Sequence, residues 1–454
     1  MNGHGQTVTD DGIKCGFAGF VQMLSMVQWN KEADSMDNII EYIRTYGQNT
    51  FAQKPFNEVD SLVICQLSYM NFQPFVPSLK EKKEAVSVQS ILEQDRMEEL
   101  LAGYWYKEQN EELIRAAAAS KRFGNMKLNY HENVVEEETD TQFSALTCFP
   151  DEGICYVAYR GTDATIVGWK EDLNLALSEP THSQELAVEY LNKVYSRVKQ
   201  DLFVGGHSKG GNLASYAAMN CSARTKKHLL CIYNHDGPGF RPEIFAKCDY
   251  ASVKNRMFKF IPKSSIVGVI METCENCEII ESRSIGAMQH NSFNWRIDGD
   301  HFVRVEDRTT AKKLQDEALN EWILSLSQEQ VRTFVDTLYE VVTASGAEDV
   351  FEFGGDLKGC ITRSYEAMKD LDENTRRAVH TILHALYEIA GEKFREEFNL
   401  RWEELQREFQ KSMEKSKKRW SEDAKTFKNA AQKKIQQNRK EKQVKTVDNK
   451  GKNM

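Results

Sequence analysis

Gly206-His207-Ser208-Lys209-Gly210 fits the pattern G-x-S-x-G between an apolar run, Leu202-Phe203-Val204, and a small-residue helical pattern from Asn212 to Met219. A serine at the sharp tip between a strand and a helix has the geometry of a nucleophile elbow. The turn is so tight that a Cβ at Gly206 or Gly210 would clash, which is why glycine stands at both. The helix that starts there places the positive end of its dipole beneath the serine. Ser208 is therefore the candidate nucleophile, weighed against a chance match in a glycine-containing turn.

The surrounding pattern suits such an elbow. Phe143 to Phe149 and Ile154 to Tyr159 flank Pro150-Asp151-Glu152-Gly153, a hairpin signal. Short apolar runs follow at Leu229 to Tyr233, Met257 to Ile261 and Cys277 to Ile280, alternating with helical or loop sequence. That alternation predicts an α/β sheet. Upstream, helices are expected at Ser35 to Tyr46, Asp60 to Tyr69 and across 84–122. The last of these is placed to cover a pocket, with Tyr104-Trp105-Tyr106 as lining or as simple core.

At 454 residues the chain is long enough for more than one domain. No stretch approaches the roughly twenty apolar residues of a membrane span. Met1 to Asp11 is polar and has no signal-peptide core, so a cytoplasmic protein is expected. Most of the ten cysteines sit in apolar runs, such as Cys65, Cys148, Cys155 and Cys231, and read as reduced core residues. Cys274-Glu275-Asn276-Cys277 has metal or redox spacing but lacks a second half, so no metal is expected there.

Tyr159-Arg160-Gly161-Thr162-Asp163, then Trp169 and Asp172-Leu173, then the elbow continuing through Gly211-Asn212-Leu213-Ala214, resembles the class 3 lipase pattern of the α/β-hydrolases. The likeness is strongest to a bacterial lipase-like group formerly catalogued as a domain of unknown function, and it covers roughly Phe56 to Val303. The resemblance implies an α/β-hydrolase fold with a mainly parallel sheet, and the sequence beyond it predicts an all-helical C-terminal extension. It also implies an oxyanion hole made by Thr162 and the backbone N–H of Lys209, since acyl transfer needs donors for the developing negative charge.

Hydrolase chain order places the base downstream of the serine, where His228, His235, His290 and His301 stand. His290 follows the last strand signal and matches the position of the family's catalytic histidine, with His301 as runner-up. The acid departs from the family's pattern. Where the lipases carry an aspartate, this chain has Ser265, in Pro262-Lys263-Ser264-Ser265-Ile266-Val267. Asp236, at the end of the preceding strand signal, is the candidate replacement, to fix the His290 tautomer and stabilise its imidazolium. If Asp236 only caps the Gly237-Pro238-Gly239 turn, Ser208 and His290 would act as a dyad with backbone or Ser265 support.

Beyond Val303 the sequence is helical, with a helical pair at Asp316 to Leu326 and Gln328 to Val342 and a longer pattern at Glu373 to Phe409. An apolar stripe runs from Phe394 through Trp402, Phe409 and Trp420 to Ile435, opposite basic clusters such as Lys415, Lys417, Lys418 and Arg419. Residues 411–454 hold fifteen Lys/Arg against five Asp/Glu, a net +10, which leaves −19 for the rest of a chain whose net charge is −9. The division read from the sequence is an N-terminal segment (1–55), a lipase-like domain (56–305), a helical extension (306–392) and a basic amphipathic tail (393–454). The 411–440 helix suits an anionic membrane surface, a solvated face, or pairing with another copy of the chain, and specific nucleic-acid binding is not expected.

The expected activity is a cofactor-free serine hydrolase acting on lipid or other hydrophobic esters, in the cytoplasm or at the inner membrane face. The competing reading is an inactive hydrolase fold that binds or scaffolds partners through its C-terminal helices. Acyl transfer to another acceptor would use the same residues.

Overall fold

The computed structural model describes residues 38–332 apart from 103–105, 137, 163–170, 173, 176–178, 272–276, 285, 307, 309 and 330. The chain divides into two compact units, Met1–Val335 and Asp336–Met454, and the described residues lie in the first. The helical pattern at Glu373 to Phe409 and the whole basic tail therefore fall outside the described residues.

Eight strands form one sheet in chain order: β1 Val86–Ser87, β2 Lys127–Glu136, β3 Thr141–Asp151, β4 Ile154–Tyr159, β5 Leu202–His207, β6 Leu229–His235, β7 Met257–Pro262 and β8 Cys277–Ile280. The first three pairings are antiparallel and the four from β4 to β8 are parallel. The sheet is thus mainly parallel, with an antiparallel flank. The expected hairpin forms between β3 and β4, with Gly153 at φ 81° in its turn.

Side chains alternate across the sheet, as the two-residue period of a strand requires. Along β3 and β4, Leu146, Cys148, Tyr156 and Ala158 face one apolar core, while Phe143, Ala145, Cys155, Val157 and Tyr159 face the other. Helices α1 (Ile39–Tyr46), α2 (Glu58–Leu67) and α3 (Lys107–Ala119) fill the first core. Helices α4 (His182–Val198) and α5 (Lys209–Asn220) fill the second. In α2 every residue from Val59 to Leu67 is buried, so the helix is apolar on nearly all sides and must be enclosed. Asn57 and Asp60 close a capping box at its start.

Asp60 also pairs with Arg122 inside this layer. The guanidinium donates to both carboxylate oxygens, at 2.6 and 2.5 Å, and to the Lys54 carbonyl at 2.9 Å, while Tyr42 Oη donates to Asp60 Oδ1 at 2.9 Å. Both charged side chains are fully buried. Such a pair persists because every lone pair and N–H has a partner.

The continuous helix expected over 84–122 is not found. The segment breaks into β1, two short helices at Val88–Leu92 and Met97–Leu100, and α3. The breaks fall at Asp95 and Tyr106, whose φ angles of 52° and 57° no right-handed helix accommodates. Tyr106 packs against the first core and meets Phe293 edge-on, whereas Tyr104 and Trp105 lie outside the described residues. The two longest elements not expected from the sequence are β2 and α4. β2 is polar and carries an irregularity between Asn129 and Glu132, so its alternation is broken. α4 opens on a Thr181/Gln184 capping box and buries Ala187, Tyr190, Leu191, Val194 and Tyr195.

The packing also runs past the 56–305 stretch at both ends. Ile39, Ile43 and Phe51 are core residues. On the other side α6 (Thr310–Ser325) holds the loop after β7, with Asn320 accepting from the Met271 N–H and donating to the Val269 carbonyl.

Candidate functional site

β5 ends at His207 and α5 begins at Lys209, so one residue makes the whole connection. That residue, Ser208, sits at φ 59°, ψ −132°, a conformation strained for any side chain. A Cβ on Gly206 would come within 2.2 Å of the Gly210 backbone, and one on Gly210 within 2.1 Å of the Tyr159 carbonyl. Glycine is therefore obligatory at both positions. The Ser208 N–H donates to the His235 carbonyl at 2.9 Å, which leaves the half-buried hydroxyl at the tip of the turn.

Lys209 contributes its backbone amide as the first of α5, where helical geometry provides no intrahelical acceptor. Its side chain turns inward. Nζ donates to the Gln142 carbonyl (2.7 Å), Gln142 Oε1 (2.6 Å) and Glu171 Oε2 (3.0 Å), and the ion pair is 1% and 2% exposed. Glu171 also accepts from the Gln142 and Ser183 backbone N–H groups. Neither Glu171 nor Gln142 stood out in the sequence, because nothing in their spacing relates them to residue 209.

Thr162 follows β4, and its Oγ1 donates to Asp172 Oδ2 at 2.5 Å. Burial pushes the Asp172 pKa up to about 6, against the pull of the Lys209 charge and of the Thr162 hydrogen bond. Asp163 and Trp169 of the same motif lie outside the described residues.

Asp236 stands directly after β6, at φ 54° and fully buried. Its Oδ2 accepts from His290 Nδ1 at 2.6 Å and from Ser265 Oγ at 2.6 Å. His290 ends a 3-10 turn, Gly286–His290, after β8, and its side chain is 17% exposed. A carboxylate oxygen facing two donors fixes both protons. Nδ1 carries the imidazole hydrogen, and Nε2 of the neutral ring is left as the acceptor. Ser265 is buried just after β7. A carboxylate in its place would confront Asp236 with a second negative charge, whereas a hydroxyl supplies a donor.

The other downstream histidines are elsewhere. His235 is fully buried, with Nε2 2.8 Å from Ser61 Oγ, and desolvation lowers its pKa to about 3. Its ring lies among Phe260, Trp295 and Phe302. His228 is exposed beside Asp201, and His301 is exposed beside Asp300. Trp295 meets the His207 ring edge-on and donates from Nε1 to the Gln289 carbonyl.

Cys65, Cys148, Cys155 and Cys221 are buried, and burial raises all four thiol pKa values, Cys65 to about 12 and Cys221 to about 11. Cys274 lies outside the described residues. Among the described residues, no helix is long and apolar enough to cross a membrane. The 411–440 segment and the pairing of C-terminal helices remain readings of sequence alone.

A family model described as Mbeg1-like matches residues 117–340. Comparison with curated proteins finds no match. Similar solved structures include a mutant form of MDLA from Penicillium cyclopium, at 15% identity over 53% of this chain and 84% of that one, with a TM-score of 0.32. Lipase II from Rhizopus niveus is 15% identical over 50% of this chain and 91% of that one, TM-score 0.29. A lipase from Rhizopus microsporus var. chinensis is 14% identical over 55% and 88%, TM-score 0.29. With its eight-stranded sheet in chain order, helices on both faces and a serine at the strand–helix elbow, the chain has the α/β-hydrolase fold.

Proposed function

We propose that this protein is a serine hydrolase of carboxylic esters, with Ser208 as nucleophile, His290 as general base and acid, and Asp236 as the orienting carboxylate. Ser208 Oγ attacks the acyl carbon as His290 Nε2 takes its proton. The charge on the former carbonyl oxygen is held by the backbone N–H groups of Lys209 and Thr162. His290 returns the proton to the departing alkoxide, and the acyl-enzyme is hydrolysed by water in a second round of the same steps. Asp236 keeps the reactive tautomer and balances the imidazolium.

The observation that carries this reading is the bond from His290 Nδ1 to Asp236 Oδ2 at 2.6 Å, with Ser265 Oγ on the same oxygen. It supports a triad over a dyad, and it favours an active site over a retired fold. The substrate class, lipid or another hydrophobic ester, comes from the resemblance to lipases. Peripheral contact of the basic 411–440 segment with anionic membrane would place such an enzyme beside its substrate.

Labelling with a fluorophosphonate probe, alongside turnover of p-nitrophenyl esters of several chain lengths, tests the assignment. Both are expected in the wild type and lost in Ser208→Ala and His290→Ala. A folded wild type that neither labels nor turns over would sink the proposal.

A further inference from the structure

His207 has no part in the chemistry above, yet it is bound on both ring nitrogens at the centre of the site. Nε2 lies 2.8 Å from the main-chain oxygen of His290, and Nδ1 lies 3.0 Å from Tyr69 Oη. A carbonyl oxygen only accepts, so Nε2 bears the hydrogen, and the neutral ring offers its Nδ1 lone pair to the tyrosine hydroxyl. Burial, with the His290 ring beside it, holds the His207 pKa well below the usual histidine range and keeps it neutral. The two imidazoles lie 4.6 Å apart between centroids, with planes 30° from parallel.

Tyr69 extends the line to the other side of the site. A Cβ on Gly161 would fall 2.0 Å from Tyr69 Oη and 2.7 Å from the His207 carbonyl, so the residue before Thr162 is pressed directly onto this pair. One buried tyrosine and one buried histidine therefore touch the turn that carries Thr162, the strand end that carries Ser208 and the backbone that carries His290.

We propose that His207 is a positioning residue, and that Tyr69, His207 and the His290 carbonyl form one hydrogen-bonded strut that sets the histidine turn and the Gly161-Thr162 turn against the elbow. The inference rests on the assignment of Ser208 and His290 above. Its physical basis is a count of anchors. Asp236 holds the His290 side chain through Nδ1, and His207 holds the same residue through its carbonyl. With both in place the ring has one orientation, and Nε2 has one position. With the carbonyl anchor removed, the turn can shift while the Asp236 bond persists, and a displacement near 1 Å costs on the order of 100-fold in rate.

The experiment measures kcat, KM and melting temperature for the full-length wild type, Ser208→Ala, His207→Phe, His207→Gln and Tyr69→Phe, on a p-nitrophenyl ester. His207→Phe keeps a ring but no donor, and kcat is expected to fall roughly 10- to 100-fold with KM little changed. His207→Gln restores an N–H near the Nε2 position and is expected to recover a several-fold part of that loss. Tyr69→Phe is expected to lower kcat by a smaller factor, again without moving KM. If His207→Phe does not fold, the glutamine and Tyr69→Phe variants carry the comparison.

The strut is overturned if His207→Phe turns over at the wild-type rate, or if His207→Gln retains no more kcat than His207→Phe, since a packing role alone would favour the variant that keeps the ring. If His207→Phe does not fold, wild-type kcat in both remaining variants overturns it. A different result sinks the underlying assignment: Ser208→Ala that retains turnover, or a wild type with none.

Discussion

The two halves of the sheet are built from the same kinds of residue but do different work. From β1 to β4 successive strands reverse direction, so their connections fall alternately at opposite edges. From β4 to β8 the strands run the same way, and their carboxyl ends gather at one edge. There Thr162, Ser208, Asp236, Ser265 and His290 follow β4, β5, β6, β7 and β8 in turn. Ligand sites of open α/β sheets lie at that edge for this topological reason.

Buried charge differs between the helical layer on one face of the sheet and the carboxyl edge of its parallel strands. On the α1–α3 side both oxygens of Asp60 are engaged, and Arg122 is wrapped by the carboxylate and backbone carbonyls. At the parallel edge, Asp236 Oδ1 and Asp172 Oδ1 are buried without a hydrogen-bond partner among the described residues. A closed network stabilises a fold. An open one leaves electrostatic capacity for a reaction that creates charge.

The sharpest way to break this contrast is Ser208→Ala, expected to lower kcat by on the order of 10⁶-fold while melting stays near wild type. Next, Asp236→Asn leaves the shape but supports the wrong His290 tautomer, and a loss of ~10⁴ in kcat is expected, measured at a pH where the wild type is fully active. A loss below tenfold would favour the dyad.

In the helical layer on one face of the sheet, away from the site edge, Arg122→Met strands the buried Asp60 carboxylate and should cost about 3–5 kcal/mol in denaturant unfolding. Activity per folded molecule should be unchanged. A folded Arg122→Met that is catalytically impaired would erase the division of labour drawn here.

The smallest effects are in pH. His131 and His235 are held near a pKa of about 3 by burial, below their ordinary 6.5. The unfolded chain therefore binds more protons between those values, and their contribution to stability is lost as pH falls below about 6.5. Asp172 acts with the opposite sign. Its folded pKa of about 6 exceeds the ordinary 3.8, so its contribution is present at low pH and lost as pH rises through about 6. Melting curves should show Asp172→Asn gaining on the wild type between about pH 4 and pH 6, and a difference that is flat with pH would refute the assignment.

Much of the parallel half was legible in the chain. The runs that became β5 to β8 are short and apolar, and glycines around Ser208 leave few alternatives to an elbow. The antiparallel flank was harder. β2 carries Asn129, His131, Glu132 and Asn133 in a strand irregular at its middle, so neither a clean alternation nor a turn signal marks it. Segment 84–122 looked continuous because its residues favour helix, yet left-handed residues at Asp95 and Tyr106 divide it. Local propensity yields there to the docking of each piece on the core.

Residue types and their order along the chain determined the alternating architecture, the elbow and the small set of side chains able to act there. These follow from local physics: strand and helix periods, and the backbone freedom of glycine. Which carboxylate meets His290, that Ser265 donates to it, that Lys209 turns its charge inward onto Glu171, and that Tyr69 reaches His207 across 138 positions were decided only by the tertiary structure. Hydrogen bonds between residues far apart in sequence leave no periodic trace. They exist because parallel strands bring their ends to one edge, where burial obliges each polar group to find a partner.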